Sequence, residues 1–211
     1  MTLKHLRVNY TLDRLLEEDA GSHPLVLFDR WLAQAIDAGI ADPNAMTLAT
    51  VSPCGQPSAR IVLLKDVQDG RFIFFSNYES RKGKELSAQP RACLLFFWAP
   101  LERQVRIEGE VSRIEAPDSD AYFNTRPLES RISTWASMQS QVIANRQDLE
   151  ASFDACQARF AQTPPARPAY WGGYALTPLS MEFWQGRASR LHDRLRYLRQ
   201  GEGWHRERLA P

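Results

Sequence analysis

The sequence predicts a mainly antiparallel β fold with flanking helices. Short runs rich in β-branched and aromatic residues recur along the chain, and the first of them are separated by turns of only a few residues. No strand–helix–strand alternation of the kind that builds a parallel sheet is present. About eight short strands and three to four helices point to an antiparallel barrel with helices packed outside. At 211 residues the chain suits one substantial core. Residues 24–211 read as a single domain and residues 1–23 as an N-terminal arm.

The arm is largely polar, with Arg7 and Tyr10 its most evident contact residues. From Pro24 the residues Leu25, Leu27, Phe28, Trp31, Leu32, Ala35 and Ile36 recur mostly at steps of three and four, which predicts an amphipathic helix ending near Gly39. Strands follow at 45–51, 59–65 and 71–76, separated by the Ser52 to Pro57 turn and by Asp69-Gly70. Residues 80–88 form a short helix with Ser80 as its N-cap. Two more strands cover 92–98 and 104–114, with Gly109 marking a bulge in the second. The chain is helical from Pro117, and Pro127 ends that helix just after Arg126. A further helix over 148–162 stops at the Pro-rich segment 163–168, and strands return at 173–183, 194–199 and 204–209.

Composition narrows the function classes. With 44% hydrophobic residues, 24% charged residues, ten Phe and six Trp, the chain folds. A net charge of +1 gives no general attraction to nucleic acid or to an anionic membrane, so an anion site must be a local concentration of charge. Three cysteines, Cys54, Cys93 and Cys156, lack CxxC or His-rich spacing. They read as small hydrophobes in a reducing compartment, with no metal site. No apolar run approaches the ~18 residues of a membrane span, and the first ten residues do not form a signal h-region, so a cytoplasmic protein is expected.

Cations collect in a few segments of this Arg-rich chain. In the strand Arg60-Ile61-Val62-Leu63-Leu64-Lys65 the two end charges are five residues apart, so strict alternation sends them to opposite faces. The segment from Ser76 through Ser80 to Arg81, Lys82 and Lys84 runs from a strand end into a helix start, where free backbone N–H groups and the helix dipole suit a phosphate. Tyr122, Arg126 and Ser130 offer a phenol, a guanidinium and a hydroxyl at four-residue steps, a donor set suited to a phosphate monoester. Pro127 leaves Ser130 to be reached from a loop. Gln104, Gln139 and Ser140 add groups able to meet a heteroaromatic ring edge. Arg190, His192 and Arg194 project to one face if the segment RLHDR at 190–194 runs extended.

Taken together, these segments resemble the pyridoxine (pyridoxamine) 5′-phosphate oxidases. The resemblance runs from His5-Leu6-Arg7 and the helix at 27–32 through RIVLLK, SRK, LERQV, YFNTRP, QS, EFWQG and RLHDR to the C-terminal Arg208-Leu209-Ala210-Pro211. It implies an FMN-binding split β-barrel acting as a homodimer, with each site built from both subunits. By that resemblance Arg60, Arg81, Lys82 and Ser76 hold the flavin phosphate and ribityl chain, with Ile61, Val62, Leu63, Leu64, Lys65 and Phe75 lining the cofactor. Gln104, Gln139 and Ser140 meet polar flavin groups, and Trp184 and Arg194 come from the partner chain. Lys65, Tyr122, Arg126 and Ser130 bind the substrate phosphate, Arg190 and His192 lie over the substrate ring as the catalytic pair, and Arg7 and Tyr10 close the pocket. The implied reaction converts pyridoxine or pyridoxamine 5′-phosphate to pyridoxal 5′-phosphate, with dioxygen as acceptor and hydrogen peroxide as by-product. Rival readings are a split-barrel oxidase of the phenazine type and a non-catalytic flavin- or pyridoxal-phosphate-binding protein. Glu129, beside the phosphate-binding group, is unhelpful unless it points away.

Overall fold

The computed structural model describes residues 2, 3, 5 and 9–211. Its centre is one antiparallel sheet of nine strands. They are β1 (Ala45–Val51), β2 (Pro57–Leu63), β3 (Asp66–Gln68), β4 (Arg71–Asn77), β5 (Arg91–Trp98), β6 (Arg103–Arg113), β7 (Trp171–Gln185), β8 (Asp193–Gln200) and β9 (Gly203–Arg208). The main path runs β2-β1-β5-β6-β7-β4-β3. Its two ends, β2 and β3, are neighbours in sequence with only Leu64 and Lys65 between them, so the sheet has to curl until its ends adjoin.

The split arises in β7. Along one edge this 15-residue strand pairs with β6 from Tyr174 to Gln185, while its other edge is divided. Residues 171–176 pair with β4, and residues 180–185 pair with β8, which in turn carries β9. A bulge at Glu108/Gly109 accommodates the bend between the halves. Gly109 is required there, because a Cβ would lie 2.1 Å from the Thr177 carbonyl oxygen.

Among the described residues six α-helices surround the sheet: α1 (Glu17–Ala20), α2 (Pro24–Asp37), α3 (Arg81–Ala88), α4 (Ala116–Thr125), α5 (Leu128–Ala136) and α6 (Arg146–Arg159). Of the stripe predicted from Pro24, Leu27, Phe28, Trp31 and Ala35 form the buried face of α2, Leu25 and Leu32 are partly buried, and Ile36 is exposed. Phe28 meets Phe72 and Phe96 edge to face at 5.0 and 5.2 Å, and Trp31 meets Phe183 at 5.3 Å. The helix closes at Gly39, whose φ of 68° is the left-handed conformation glycine adopts without strain. Asp69 and Gly70 both have positive φ, as a tight β3–β4 turn requires. Among the described residues no helix is long and apolar enough to cross a membrane.

Four elements differ from expectation. Pro127 does not leave a loop behind it but is the N-cap of α5, so Ser130 sits in the first turn of a helix; a fixed φ suits a helix start as well as a stop. The second strand begins and ends two residues earlier than expected, and β3 follows it after two residues. The arm contributes to the core through Leu15 and Ala20, and the Tyr197 hydroxyl donates to the carbonyls of Ala20 and Gly21 at 3.2 and 3.0 Å. No cysteine is fully buried: Cys54 is exposed, and Cys93 and Cys156 are partly so.

Candidate functional site

Because β2 and β4 come together where the sheet closes on itself, the side chains along that seam line a common cleft of about 1030 Å³. β2 supplies Arg60, Ile61, Val62 and Leu63, and β4 supplies Phe75, Ser76 and Asn77. The start of α3 supplies Arg81 and Lys82, and the α4–α5 region supplies Tyr122, Arg126, Ser130 and Thr134. Gln139 and Ser140 complete the wall. Lys65 also lines it, contrary to the opposite-face expectation: β2 stops at Leu63, so alternation no longer governs a residue two positions beyond. Leu64 is the exception in this run, since at 5% exposure its side chain belongs to the core and does not line the cleft. Glu129 is exposed and absent from the lining.

Ser80 fixes the start of α3 by accepting a hydrogen bond from the Gly83 N–H, and Gly83 packs so tightly that a Cβ would lie 2.2 Å from the Tyr78 carbonyl oxygen. This places Lys82 inside the cleft wall, where Nζ donates to Ser76 Oγ at 3.1 Å, Ser80 Oγ at 3.4 Å and Gln139 Oε1 at 2.9 Å. Burial, reinforced by the nearby Arg60 charge and opposed by Glu85, lowers the Lys82 ammonium to about 8. Arg126 donates to Thr134 Oγ1 at 2.8 Å and lies 4.6 Å from the centre of the Trp171 ring, with burial lowering its pKa. Tyr122 stacks on Phe75 with ring centroids 3.8 Å apart. A cationic wall facing apolar and aromatic surface is chemically matched to a ligand that joins a phosphate to a flat ring.

A second group lies at the far end of β7. Gln104, Trp184 and Arg194 are consecutive partners across β6, β7 and β8. Arg194 Nε donates to Glu182 Oε1 at 2.8 Å, while Arg106 pairs with the other carboxylate oxygen. Trp184 packs against His192 at 4.7 Å and meets Tyr10 edge to face at 5.6 Å. Gly186 makes room for this, since a Cβ there would lie 2.6 Å from the Tyr10 ring. The Arg187 N–H donates to His192 Nδ1 at 3.1 Å, which fixes the neutral ring as the Nε2–H tautomer. Arg190, His192 and Arg194 do not share an extended strand. Ser189 and Arg190 adopt φ values of 58° and 62°, and β8 begins only at Asp193.

None of Tyr10, Gln104, Trp184, Arg190, His192 and Arg194 lines the cleft. Trp171 and Trp184 stand at opposite ends of β7, whose 15 residues have a contour of about 50 Å at ~3.3 Å each. Gln104 therefore belongs with Trp184 and Arg194, not with Gln139 and Ser140. Arg7 lies outside the described residues. Three buried carboxylates had no assigned role from sequence: Glu85, visible only as the i+4 partner of Arg81, Glu102, inside LERQV, and Glu182, inside EFWQG. Trp171 carried no sequence signal.

The antiparallel sheet that divides along β7, with its cationic cleft at the closing seam, is the fold of the FMN-binding split-barrel proteins. A structure of a pyridoxamine 5′-phosphate oxidase-related, FMN-binding protein from Nostoc punctiforme shares this fold with a TM-score of 0.70 at 18% identity, covering 87% of this chain and 97% of that one. The chain belongs to the pyridoxamine 5′-phosphate oxidase family of oxidoreductases: residues 32–160 match the model described as Pyridoxamine 5′-phosphate oxidase. Residues 171–211 match the Pyridoxine 5′-phosphate oxidase C-terminal dimerisation region. Relatives named pyridoxine/pyridoxamine 5′-phosphate oxidase are 56% identical in Thermosynechococcus vestitus, covering 98% of this chain and 97% of the relative, and 56% identical in Bordetella petrii, covering both in full. PhzG from Burkholderia lata, solved with tetrahydrophenazine-1-carboxylic acid, aligns with a TM-score of 0.88 at 34% identity over 95% of this chain and 99% of that one.

Proposed function

We propose that this protein is an FMN-dependent oxidase that converts pyridoxine 5′-phosphate or pyridoxamine 5′-phosphate to pyridoxal 5′-phosphate, and that it works as a homodimer with shared sites. The observation carrying the substrate class is the convergence of Lys65, Tyr122, Arg126 and Ser130 on the cleft that also holds Arg60, Arg81 and Lys82. One cationic group suits the cofactor phosphate and the other a phosphorylated substrate. The donor set fits FMN: Arg81, Lys82 and Ser76 would meet its phosphate, Gln139 and Ser140 its polar edge, and Ile61, Leu63 and Phe75 its apolar surface. When bound, FMN would supply the hydride acceptor, with dioxygen as the final electron acceptor and hydrogen peroxide as the by-product.

The chain's residues position and exchange protons. Arg126 anchors the substrate phosphate as a fork with one N–H held by Thr134, and Tyr122 and Ser130 donate neutral hydrogen bonds beside it. Trp184, Arg194 and Gln104 of the partner complete the flavin wall, bringing Arg190 and His192 over the substrate. With Nδ1 occupied by the Arg187 N–H, His192 presents Nε2 as its donor in the neutral ring. Residues 24–211 act as one unit, with residues 1–23 as an arm that brings Arg7 and Tyr10 toward the substrate. The free cysteines suit a reducing compartment, and the cytoplasm is the proposed location.

A phenazine-type oxidase is the second reading, favoured by the 34% identity to PhzG over nearly the whole chain. The deciding experiment is anaerobic bleaching of the bound flavin. Pyridoxine 5′-phosphate is expected to discharge the yellow colour rapidly, and unphosphorylated pyridoxine far more slowly. Equal rates reject the phosphate anchor, and no bleaching with either compound rejects the oxidase reading.

A further inference from the structure

We propose that Glu85 is the positioning residue of the cofactor-phosphate site, holding Arg60 and Arg81 so that Arg81 presents its free fork to the anion and Arg60 its remaining Nε–H. This rests on the reading that the cleft receives FMN. Glu85 lies on α3 with only 4% of its surface exposed, and its two oxygens are divided between the two arginines. Oε1 accepts from Arg81 Nε at 2.9 Å. Oε2 accepts from Thr50 Oγ1 at 2.5 Å, Ser58 Oγ at 2.7 Å and Arg60 Nη2 at 3.3 Å. One carboxylate thereby ties the helix to both β1 and β2.

The consequences for the arginines differ. Arg60 Nη1 is also spent on the Leu48 carbonyl and Thr50 Oγ1, and its Nη2 on Ser58 Oγ. Four of its five N–H donors thus point into protein, leaving Nε as the one without a protein partner among the described residues. Among the described residues Arg81 commits only Nε, which leaves both Nη groups without a partner there on a side chain that is 58% exposed. Arg81 is therefore the fork offered to an anion, and Arg60 chiefly a fixed background charge. Three cations and one carboxylate leave two positive charges, close to the roughly −2 of a phosphomonoester. Without Glu85, Arg60, Arg81 and Lys82 would repel one another and Arg81 would lose the contact that aims it.

The test titrates the full-length protein, stripped of flavin, with FMN and separately with riboflavin, following flavin fluorescence. Glu85→Gln keeps the shape but removes the charge that pairs with both guanidinium groups. It is expected to weaken FMN binding about tenfold, the scale of one charge-assisted hydrogen bond, and to leave riboflavin binding unchanged. Unchanged or tighter FMN binding overturns the proposal, because deleting a mere negative charge beside a phosphate would strengthen attraction. Glu85→Asp keeps the charge but is too short to span both arginines, so it is expected to weaken FMN in the same direction and carries the test if the Gln variant does not fold. Full FMN affinity in Glu85→Asp also overturns the proposal. Arg81→Ala separates the two levels. If it leaves the preference for FMN over riboflavin intact, the cleft reading itself fails; if it abolishes that preference while the Glu85 variants keep it, only the positioning role fails.

Discussion

The seam cleft and the far end of β7 are built on opposite plans. In the cleft, cations from β2 and α3 are already engaged by Glu85, Ser76, Ser80 and Gln139, all supplied by the same chain. At the far end, Gln104, Trp184 and Arg194 form a row across three strands, and His192 and Arg190 follow on an irregular, left-handed turn. Glu182 anchors Arg194 and Arg106, and none of Gln104, Trp184 and Arg194 lines the seam cleft of its own chain. On the proposed reading, the contrast teaches that a cofactor phosphate would be held by groups preorganised within one subunit, while the groups proposed to act on the substrate would come from a second copy. The match of residues 171–211 to a dimerisation region supports a homodimer.

The sharpest break comes from disabling one half without the other. Arg190→Ala is expected to lower kcat/KM about a hundredfold through misplacement of the substrate, with FMN affinity unchanged. Steady-state kinetics and flavin titration on the same preparation check both parts. A loss of flavin together with activity would erase the distinction between the two regions.

Next in size is Arg126→Ala, expected to raise KM for the phosphorylated substrate roughly thirtyfold, as loss of a charge-assisted contact of about 2 kcal/mol. Turnover of the unphosphorylated analogue should not change. A parallel loss for both compounds would move Arg126 from phosphate anchoring to general scaffolding.

Smaller still is a pH effect specific to the cleft. Lys82 has its free-protein pKa lowered to about 8, and a bound phosphate favours its charged form. Below that pH the ammonium is already charged and FMN affinity is full. Above it, binding must take up a proton, so affinity falls as pH rises. Dissociation constants measured from pH 7 to 9.5 should show this weakening in the wild type, and Lys82→Met should bind FMN more weakly and flatten the slope. The smallest effect belongs to Ser80→Ala, which removes the α3 cap and should cost about 1 kcal/mol of stability, read as a denaturant midpoint shift.

Much of the fold was legible because its parts are regular elements. The β-rich run at 45–51, the amphipathic helix from Pro24 and the Ser80 cap follow from residue type, side-chain spacing or a local hydrogen bond, and the structure has these elements where those rules put them. What escaped depends on where regularity stops. Lys65 reaches the cleft because β2 ends at Leu63, and Pro127 begins a helix where it was expected to end one. The RLHDR segment departs from an extended run at two left-handed residues, Ser189 and Arg190, neither of which is a glycine that would signal such a turn. Glu85 was hidden for another reason: its partners Thr50 and Ser58 lie on strands some thirty residues away, and only the tertiary structure brings them to one carboxylate.

The most direct test of the shared-site account is complementation between subunits. A cleft variant, Lys82→Met with Arg126→Ala, and a far-end variant, Arg190→Ala with Arg194→Ala, are each expected to be nearly inactive alone. Unfolding and refolding them together with FMN should produce mixed dimers in which one of the two sites draws an intact cleft from one subunit and an intact far end from the other. With random pairing, activity should return to about a quarter of the wild-type value. Activity no higher than the average of the separate variants, in preparations shown to contain mixed dimers, would contradict the account.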